Sequence, residues 1–185
     1  MDELIEKVIS EITTCLHFVS GESLAQAGAL IEGAPRIFVC GAGRSGLITR
    51  ALGTRLMHLE KTVHVVGDPT TPGIQAGDLL VIGSGSGKTP TLLAISQKAQ
   101  SQGANFLLFT TKPASPLAQL ATQYVVLPAP SLDDAELGRD LNAVQPMGTL
   151  FEQSLLILYD VIILWIMRRS GVSASQMRLR HANLE

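Results

Sequence analysis

Apolar residues follow two different spacings along the chain. Over 2–18 and 21–32 they recur every three or four positions, which predicts two amphipathic helices. From residue 36 onward, short apolar runs alternate with helix-like stretches, and the runs predict five strands at 36–40, 62–66, 78–82, 106–110 and 124–127. Strands that alternate with helices form a parallel sheet. We therefore expect an α/β fold of the doubly wound type, a three-layer sandwich with a five-stranded parallel sheet flanked by helices.

The same spacings predict the domain organisation. We expect a single domain over residues 1–185, made of N-terminal helices in 1–33, a sheet core in 36–127 and a C-terminal helix and tail in 146–185. The final helix is predicted to begin near Pro146, because proline suits the first helical position, and to end by Gly171. A short polar tail should follow it. We assign no role to the long polar connection at 128–145.

The final helix is apolar enough to be mistaken for a membrane span. However, Asp160 interrupts the stretch Leu155–Met167, and two arginines close it. The uninterrupted run Val161–Met167 is far shorter than the roughly 20 residues that a spanning helix needs. We expect a helix buried on nearly all sides, with no membrane partner. In a domain of this size such a helix suggests a subunit interface, and purely internal burial is the alternative.

Composition excludes several classes of partner. The 14 basic and 16 acidic residues give a net charge of −2, so no surface for a nucleic acid is implied. Cys15 and Cys40 lie in apolar surroundings and are expected to be buried thiols, as in a reducing, cytoplasmic location. The acidic, amphipathic start of the chain lacks the pattern of a signal peptide. The sequence holds no cluster of zinc ligands, and we expect no metal.

A first glycine-rich loop, GAGRSG at Gly41–Gly46, follows a predicted strand and precedes a helix. It matches the GxGxxG fingerprint of dinucleotide sites, but two helices precede the strand, and Asp68 lies late for the acidic residue that binds ribose. Three interpretations remain: a dinucleotide site, a tight turn without a ligand, or a contact with a sugar or its phosphate. The third is favoured, with Ser45 and the helix N-terminus as the binding groups and Arg44 as a weaker candidate.

A second loop, GSGSGKT at Gly83–Thr89, resembles a Walker A loop that is one residue too short. The GxxxxGK[ST] pattern needs glycine where Ile82 stands, which disfavours a P-loop NTPase. Alternating glycines let backbone N–H groups converge, hydroxyls donate to phosphate oxygens, and the following helix adds its positive end. This predicts a phosphomonoester site that needs no metal, formed by Ser84, Gly85, Ser86, Gly87, Lys88 and Thr89. The alternatives are a flexible surface loop and, for Lys88, a solvated charge at the helix start.

Several strings together resemble one family. They are GAGRSG at 41–46, RLMHL at 55–59, TTP at 70–72, SGSGKT at 84–89, QPMGTLFE at 145–152 and RHANLE at 180–185. The chain resembles the sugar isomerase (SIS) family and, within it, the 6-phospho-3-hexuloisomerases. The resemblance implies a homotetramer that assembles through the C-terminal helix and tail. No string in the connection at 128–145 contributes to the resemblance.

The resemblance also implies a reaction. It is an isomerisation of the aldose–ketose type, between D-arabino-hex-3-ulose 6-phosphate and D-fructose 6-phosphate, through a cis-enediol and without a cofactor. The enzyme would act after hexulose-phosphate synthase in the ribulose monophosphate pathway of formaldehyde fixation. Other SIS isomerases, of arabinose or heptose phosphates, and a non-enzymatic module that binds a sugar phosphate are the alternatives.

This chemistry needs a group that takes a proton from the carbon beside the carbonyl and returns it to the neighbouring carbon. Glu152 lies in the first turns of an apolar helix, where desolvation raises a carboxyl pKa and the helix dipole opposes the rise. From the residues alone, a base and a mere contact with the free N–H groups of the helix are equal interpretations. The resemblance favours the base, because the family's proposed proton acceptor falls on Glu152.

A second catalytic candidate is His181, in the C-terminal tail. From its position alone it would be an exposed side chain without a role. The resemblance implies that the tail reaches the site of a neighbouring subunit, where His181 would polarise the migrating oxygen or assist ring opening. Of the other histidines we interpret His58, in the RLMHL string, as packing within a helix.

Overall fold

The computed structural model describes residues 1–130 and 143–184. The helices are α1 Asp2–His17, α2 Gly21–Gly33, α3 Gly43–His58, α4 Pro90–Ser101, α5 Pro116–Leu120, α6 Thr149–Ser170 and α7 Ala174–Arg178. The strands are β1 Ile37–Gly41, β2 Val63–Val65, β3 Leu79–Gly83, β4 Asn105–Thr110 and β5 Gln123–Val126. Most of the predicted connection at 128–145 lies outside the described residues.

The five strands form one parallel sheet in the order β2-β1-β3-β4-β5. The chain therefore winds outward in one direction from β1 to β2 and in the other from β3 to β5. This is the predicted doubly wound arrangement. The direction of winding changes between β1 and β3, and in such sheets a ligand binds in the crevice beyond the carboxyl ends of the strands at this point. Both glycine loops begin there.

Alternating side chains of the strands build two separate apolar cores, one on each face of the sheet. Phe38, Leu80 and Ile82 face α4 and α5 in the smaller core. Ile37, Val39 and the other alternate positions face the larger core, to which α1, α2, α3 and α6 contribute. The sheet is thus the middle layer of a three-layer sandwich. The central strands β1, β3 and β4 are largely buried on both faces, which explains why they appear in the sequence as continuous apolar runs. The edge strands β2 and β5 are only partly buried.

Helix α6 is the central helix of the larger core. It packs against α1, α2 and α3. By length and composition alone α6 could cross a membrane, but half of its most apolar window is buried inside the domain, as in the core helix of a globular protein. Its remaining apolar surface includes Ile157, Val161 and Leu164, which are between 39% and 54% exposed. At i, i+4 and i+7 these three residues form one stripe along the helix.

The predicted start of α6 is wrong by three residues. The helix begins at Thr149 rather than near Pro146, because Met147 has a φ of 58°, which is incompatible with a right-handed helix. Its predicted end is right, since Gly171 closes the helix in the left-handed conformation. The tail also contains a helix that the sequence prediction missed. The short α7 is held by a capping box between Ser173 and Gln176.

Candidate active site

A cleft of about 370 Å³ lies beyond the carboxyl ends of β1 and β3. Three segments line it, namely the first glycine loop, the second glycine loop and the start of α6. The lining residues are Ala42, Gly43, Arg44, Ser45, Gly83, Ser84, Gly85, Ser86, Thr89, Leu92, Pro130, Met147, Gly148, Thr149, Phe151 and Glu152. Most of the residues predicted to form the site therefore share one cavity.

The first glycine loop makes a tight turn from β1 into α3. A Cβ atom on Gly46 would lie 2.5 Å from the Gly41 carbonyl oxygen, so only glycine allows this approach of helix to strand. Gly43 begins the helix with a positive φ of 56°. The turn places Arg44 and Ser45 in the first turn of α3, at the edge of the cleft. The glycines thus serve backbone geometry, and the two polar residues face the cavity.

The second glycine loop folds over itself before α4 begins. The Ser84 hydroxyl accepts a hydrogen bond from the Gly87 N–H at 3.3 Å, and the Ser86 hydroxyl accepts one from the Lys88 N–H at 3.4 Å. The Gly85 carbonyl accepts the hydroxyls of Thr110 and Thr111. Gly87 and Lys88 are outside the lining of the cleft. The side chains of Ser84, Ser86 and Thr89 line the cleft instead.

The N-terminus of α4 adds positive potential to this loop. Thr89 is the cap residue, but its side chain accepts no hydrogen bond from the first turn, and Pro90 occupies the first helical position. The free N–H groups of this turn and the neighbouring hydroxyls lie on one side of the cleft. Such an arrangement suits an anion, in particular a phosphate group.

Glu152 lies across the cleft from this loop, in the first turn of α6. Its side chain is 13% exposed, and its Oε2 lies 3.0 Å from Nε of Arg44. Burial raises the pKa of the carboxyl above its ordinary value, while the Arg44 charge and the Ser45 hydroxyl oppose the rise. A carboxylate with a raised pKa, next to a site for an anion, can exchange protons with a bound substrate.

His181 lies outside the cleft of its own chain. Its ring stacks on that of His58, with the centroids 5.6 Å apart and the planes at 18°. Both rings line a second cavity, between α3, α6 and α7. His58 is buried, and burial lowers its pKa, with Arg55 and His181 adding to the effect. Within one chain, His181 therefore cannot contact a ligand in the cleft.

Sequence reasoning missed several residues that line the cleft. Met147, Gly148, Thr149 and Phe151 precede or flank Glu152, and the string that contains them was noted without a role for any except Glu152. Phe151 packs against the second glycine loop, where a Cβ on Gly85 would lie 3.3 Å from its ring. Their position next to Glu152, at the start of α6, could have indicated that some of them line the same cleft.

The cleft suits an anionic ligand and a proton transfer. Among the residues that the structure describes, no group of three or more His, Cys, Asp or Glu side chains is placed to hold a metal ion. Cys15 is buried and Cys40 half-buried, and both are free thiols. A doubly wound α/β domain with a hydroxyl-lined anion site and a facing carboxylate belongs to the class of proteins suited to bind a small phosphorylated ligand and to transfer a proton.

Comparison with known proteins identifies the family. The SIS domain model matches residues 30–157, and the chain belongs to the SIS family. A 3-hexulose-6-phosphate isomerase from Mycobacterium gastri is 42% identical over 178 residues, 96% of this chain and 88% of that protein. Another from Bacillus subtilis is 36% identical over 183 residues, 99% of this chain and 98% of that protein. These findings confirm the resemblance derived from the sequence.

A solved structure agrees with the fold. A hypothetical protein from Methanococcus jannaschii superposes with a TM-score of 0.85 at 32% identity, covering 99% of both chains. The function inferred for that protein from its crystal structure is 3-hexulose-6-phosphate isomerase. The five-stranded SIS fold predicted from the sequence is therefore confirmed.

Proposed function

We propose that this protein is a 3-hexulose-6-phosphate isomerase, which interconverts D-arabino-hex-3-ulose 6-phosphate and D-fructose 6-phosphate. The observation that carries the proposal is that Glu152 and the serine loop at 84–89 line the same cleft. Relatives of nearly the same length, at 36% and 42% identity, have this name. The chain is thus assigned a reaction that its own cleft is equipped to perform.

Substrate binding begins at the phosphate. The hydroxyls of Ser84, Ser86 and Thr89 and the N-terminus of α4 bind the phosphate of the open-chain sugar, and Ser45 contacts a sugar hydroxyl from the opposite loop. The Gly85 amide adds to this phosphate site. The Gly87 and Lys88 amides donate to the Ser84 and Ser86 hydroxyls and so orient these hydroxyls for the ligand. Binding at this remote group orients the reacting carbons against Glu152.

The isomerisation is a proton transfer between neighbouring carbons. Both sugars are ketoses, so the carbonyl moves between C3 and C2. The Glu152 carboxylate takes the proton from C2 of the hexulose, and the C–H electron pair forms the C2=C3 bond of a cis-enediolate. Glu152 then returns the proton to C3 as a proton moves between the two oxygens, and the carbonyl forms at C2.

We also propose a homotetramer in the cytoplasm, with a functional link to a hexulose-phosphate synthase that supplies the substrate. The exposed apolar stripe of α6 supports an interface between subunits. In such an assembly His181 would act in the site of a neighbouring chain, where it would polarise the migrating oxygen or assist ring opening.

Deuterium exchange tests the proposed reaction. Incubation with D-fructose 6-phosphate in deuterated water should place deuterium at C3, because only a C2=C3 enediolate exchanges that proton, and hexulose 6-phosphate should accumulate. Exchange at C1 instead would indicate a 1,2-enediol and an isomerase of a different sugar. Binding of D-glucitol 6-phosphate, which has no carbonyl, together with no exchange into fructose 6-phosphate would indicate a module that only binds sugar phosphates.

A further inference from the structure

We propose that Arg44 is a catalytic residue of this isomerisation, which pairs with the Glu152 carboxylate before proton abstraction and with the enediolate oxygen after it. The inference rests on the proposed function. It gives the first glycine loop a chemical role beyond its tight turn.

The position of Arg44 is the first observation. Its Nε lies 3.0 Å from Glu152 Oε2, and its side chain is 60% exposed at the edge of the cleft. Among the described residues of the lining, only Arg44 and Glu152 carry a charge. An exposed arginine that reaches a nearly buried carboxylate can follow a charge over a short distance without rearrangement of the backbone. Arg44 therefore lies next to the position at which Glu152 would contact the substrate.

The change of charge during the reaction is the second argument. Before abstraction, the negative charge is on the Glu152 carboxylate. After abstraction, Glu152 is neutral, and the electron pair of the broken C–H bond leaves a negative charge on the oxygens of the enediolate. The net charge next to Arg44 is therefore unchanged while its location moves from the carboxylate to the substrate. A cation within reach of both positions stabilises the transition state, in which the charge is shared.

The groups that bind the phosphate do not place a cationic side chain beside Glu152. Ser84, Ser86 and Thr89 are neutral, and they lie on the loop that follows β3, whereas Arg44 lies on the loop that follows β1. Around Glu152, α3 contributes Arg44 and the Ser45 hydroxyl, and the described lining from the β3–α4 loop and from α6 contributes hydroxyls but no second charge. Lys88, in the β3–α4 loop, is outside the lining.

Two inhibitors separate this role from simple binding. The four-carbon 4-phospho-D-erythronohydroxamate reproduces C3 to C6 of the substrate and has two oxygens in the plane of the enediolate. D-erythritol 4-phosphate has the same phosphate but no such group. In Arg44→Gln, the affinity for the hydroxamate should fall by at least about 10-fold more than the affinity for erythritol 4-phosphate. An equal loss for both compounds, or no loss, would overturn the proposal.

Kinetics provide a second measurement. The value of kcat in Arg44→Gln should fall by about 10²- to 10³-fold, the range for removal of one group that stabilises an oxyanion. Arg44→Lys should recover part of the loss, since it keeps the charge. The acidic limb of the kcat/KM pH profile should lie at higher pH in Arg44→Gln than in the unmodified protein, because the cation that favours ionised Glu152 is absent. A loss in kcat without this movement contradicts the pairing with Glu152.

Arg50 provides the matched control. It lies on the same helix and pairs with Asp68, outside the lining of the cleft. Arg50→Gln should keep kcat, the pH profile and both affinities. If the unmodified protein itself shows no exchange at C3 of fructose 6-phosphate, the proposed function fails. If it shows exchange and Arg44→Gln behaves like Arg50→Gln, only the role of Arg44 fails.

Discussion

Opposing physical effects act on the carboxyl of Glu152, and burial outweighs the others. Burial at the first turn of α6 disfavours its ionised form, whereas the Arg44 charge and the Ser45 hydroxyl favour it. A carboxyl in deep burial alone would stay protonated and could not accept a proton, and a carboxylate in water would be too weak a base. The combination gives a pKa that is raised but opposed, which suits a group that must take a proton and return it.

Replacement of this carboxyl should remove catalysis and keep binding. In Glu152→Gln we expect turnover of hexulose 6-phosphate to fall by at least about 10²-fold, because the amide cannot accept the proton from carbon. Calorimetry with D-glucitol 6-phosphate should give an unchanged affinity. Glu32→Gln is a matched control, since Glu32, like Glu152, pairs with an arginine. Its partner is Arg169 of α6, at 2.9 Å. Near-normal turnover in Glu152→Gln would reject it as the base.

The activity should also depend on pH through this carboxyl. Only the ionised form accepts a proton, and the folded pKa lies above the ordinary value of 4.5. We therefore expect kcat/KM to fall as the pH decreases through this raised pKa. The substrate phosphate also titrates, with a second pKa of about 6, and this contributes to the pH dependence. The pH dependence of D-glucitol 6-phosphate binding measures the contribution of the phosphate alone. If kcat/KM follows the same pH dependence, ionisation of Glu152 does not limit the activity.

At the scale of elements, the second glycine loop tolerates no side chain at Gly87. Gly87 has a φ of 63°, and a Cβ there would overlap the Ser115 hydroxyl. Its carbonyl also accepts the Leu117 N–H, which ties the loop to α5. The loop that should bind phosphate is therefore held in shape by a helix on the opposite side from the cleft.

An alanine at this position should damage binding and folding together. We expect Gly87→Ala to lower the free energy of unfolding by about 1–3 kcal/mol, from backbone strain and overpacking, and to weaken binding of D-glucitol 6-phosphate. Urea denaturation and calorimetry measure the two effects. Gly73→Ala is the control, because a Cβ there meets nothing within 4 Å. Equal stability of the two variants would show that the loop can adjust.

The elements also show which features the sequence was able to predict. All five strands were recognised, most clearly β1, β3 and β4, which are largely buried on both faces and appear as continuous apolar runs. The edge strands β2 and β5 are only partly buried, and shorter apolar runs mark them. The start of α6 was not, because Pro146 satisfied the rule for a first helical position, while the turn that excludes it depends on the unusual φ of Met147. The short α7 was missed because a helix of five residues has no apolar periodicity to detect.

The candidate site was predictable to the extent that it depends on motifs at strand ends. The loops with Ser45 and Ser84 were recognised, since their glycines mark tight turns after strands. The pairing of Arg44 with Glu152 was not, because it joins residues far apart in the sequence through the packing of α3 on α6. Residue types predict which chemistry is available, and only the packing decides which groups meet.

At the scale of the whole molecule, the proposed tetramer depends on the apolar stripe of α6. We expect Leu164→Glu, at a position that is 54% exposed, to reduce the assembled mass, because a carboxylate in an apolar interface is costly to desolvate. Light scattering after gel filtration measures the mass. Leu4→Glu, at a similarly exposed position of α1, should leave the assembly intact. A tetramer that survives Leu164→Glu would place the interface elsewhere.

The unusual backbone of Met147 has a further consequence. A non-glycine residue with a φ of 58° costs the fold on the order of 1 kcal/mol or more, and this cost falls at the mouth of the cleft. Glycine would relieve this strain but would add chain entropy to the unfolded state and remove the side chain. The methionine thioether lines the cleft instead, where it provides a flexible wall that can adapt to a bound sugar.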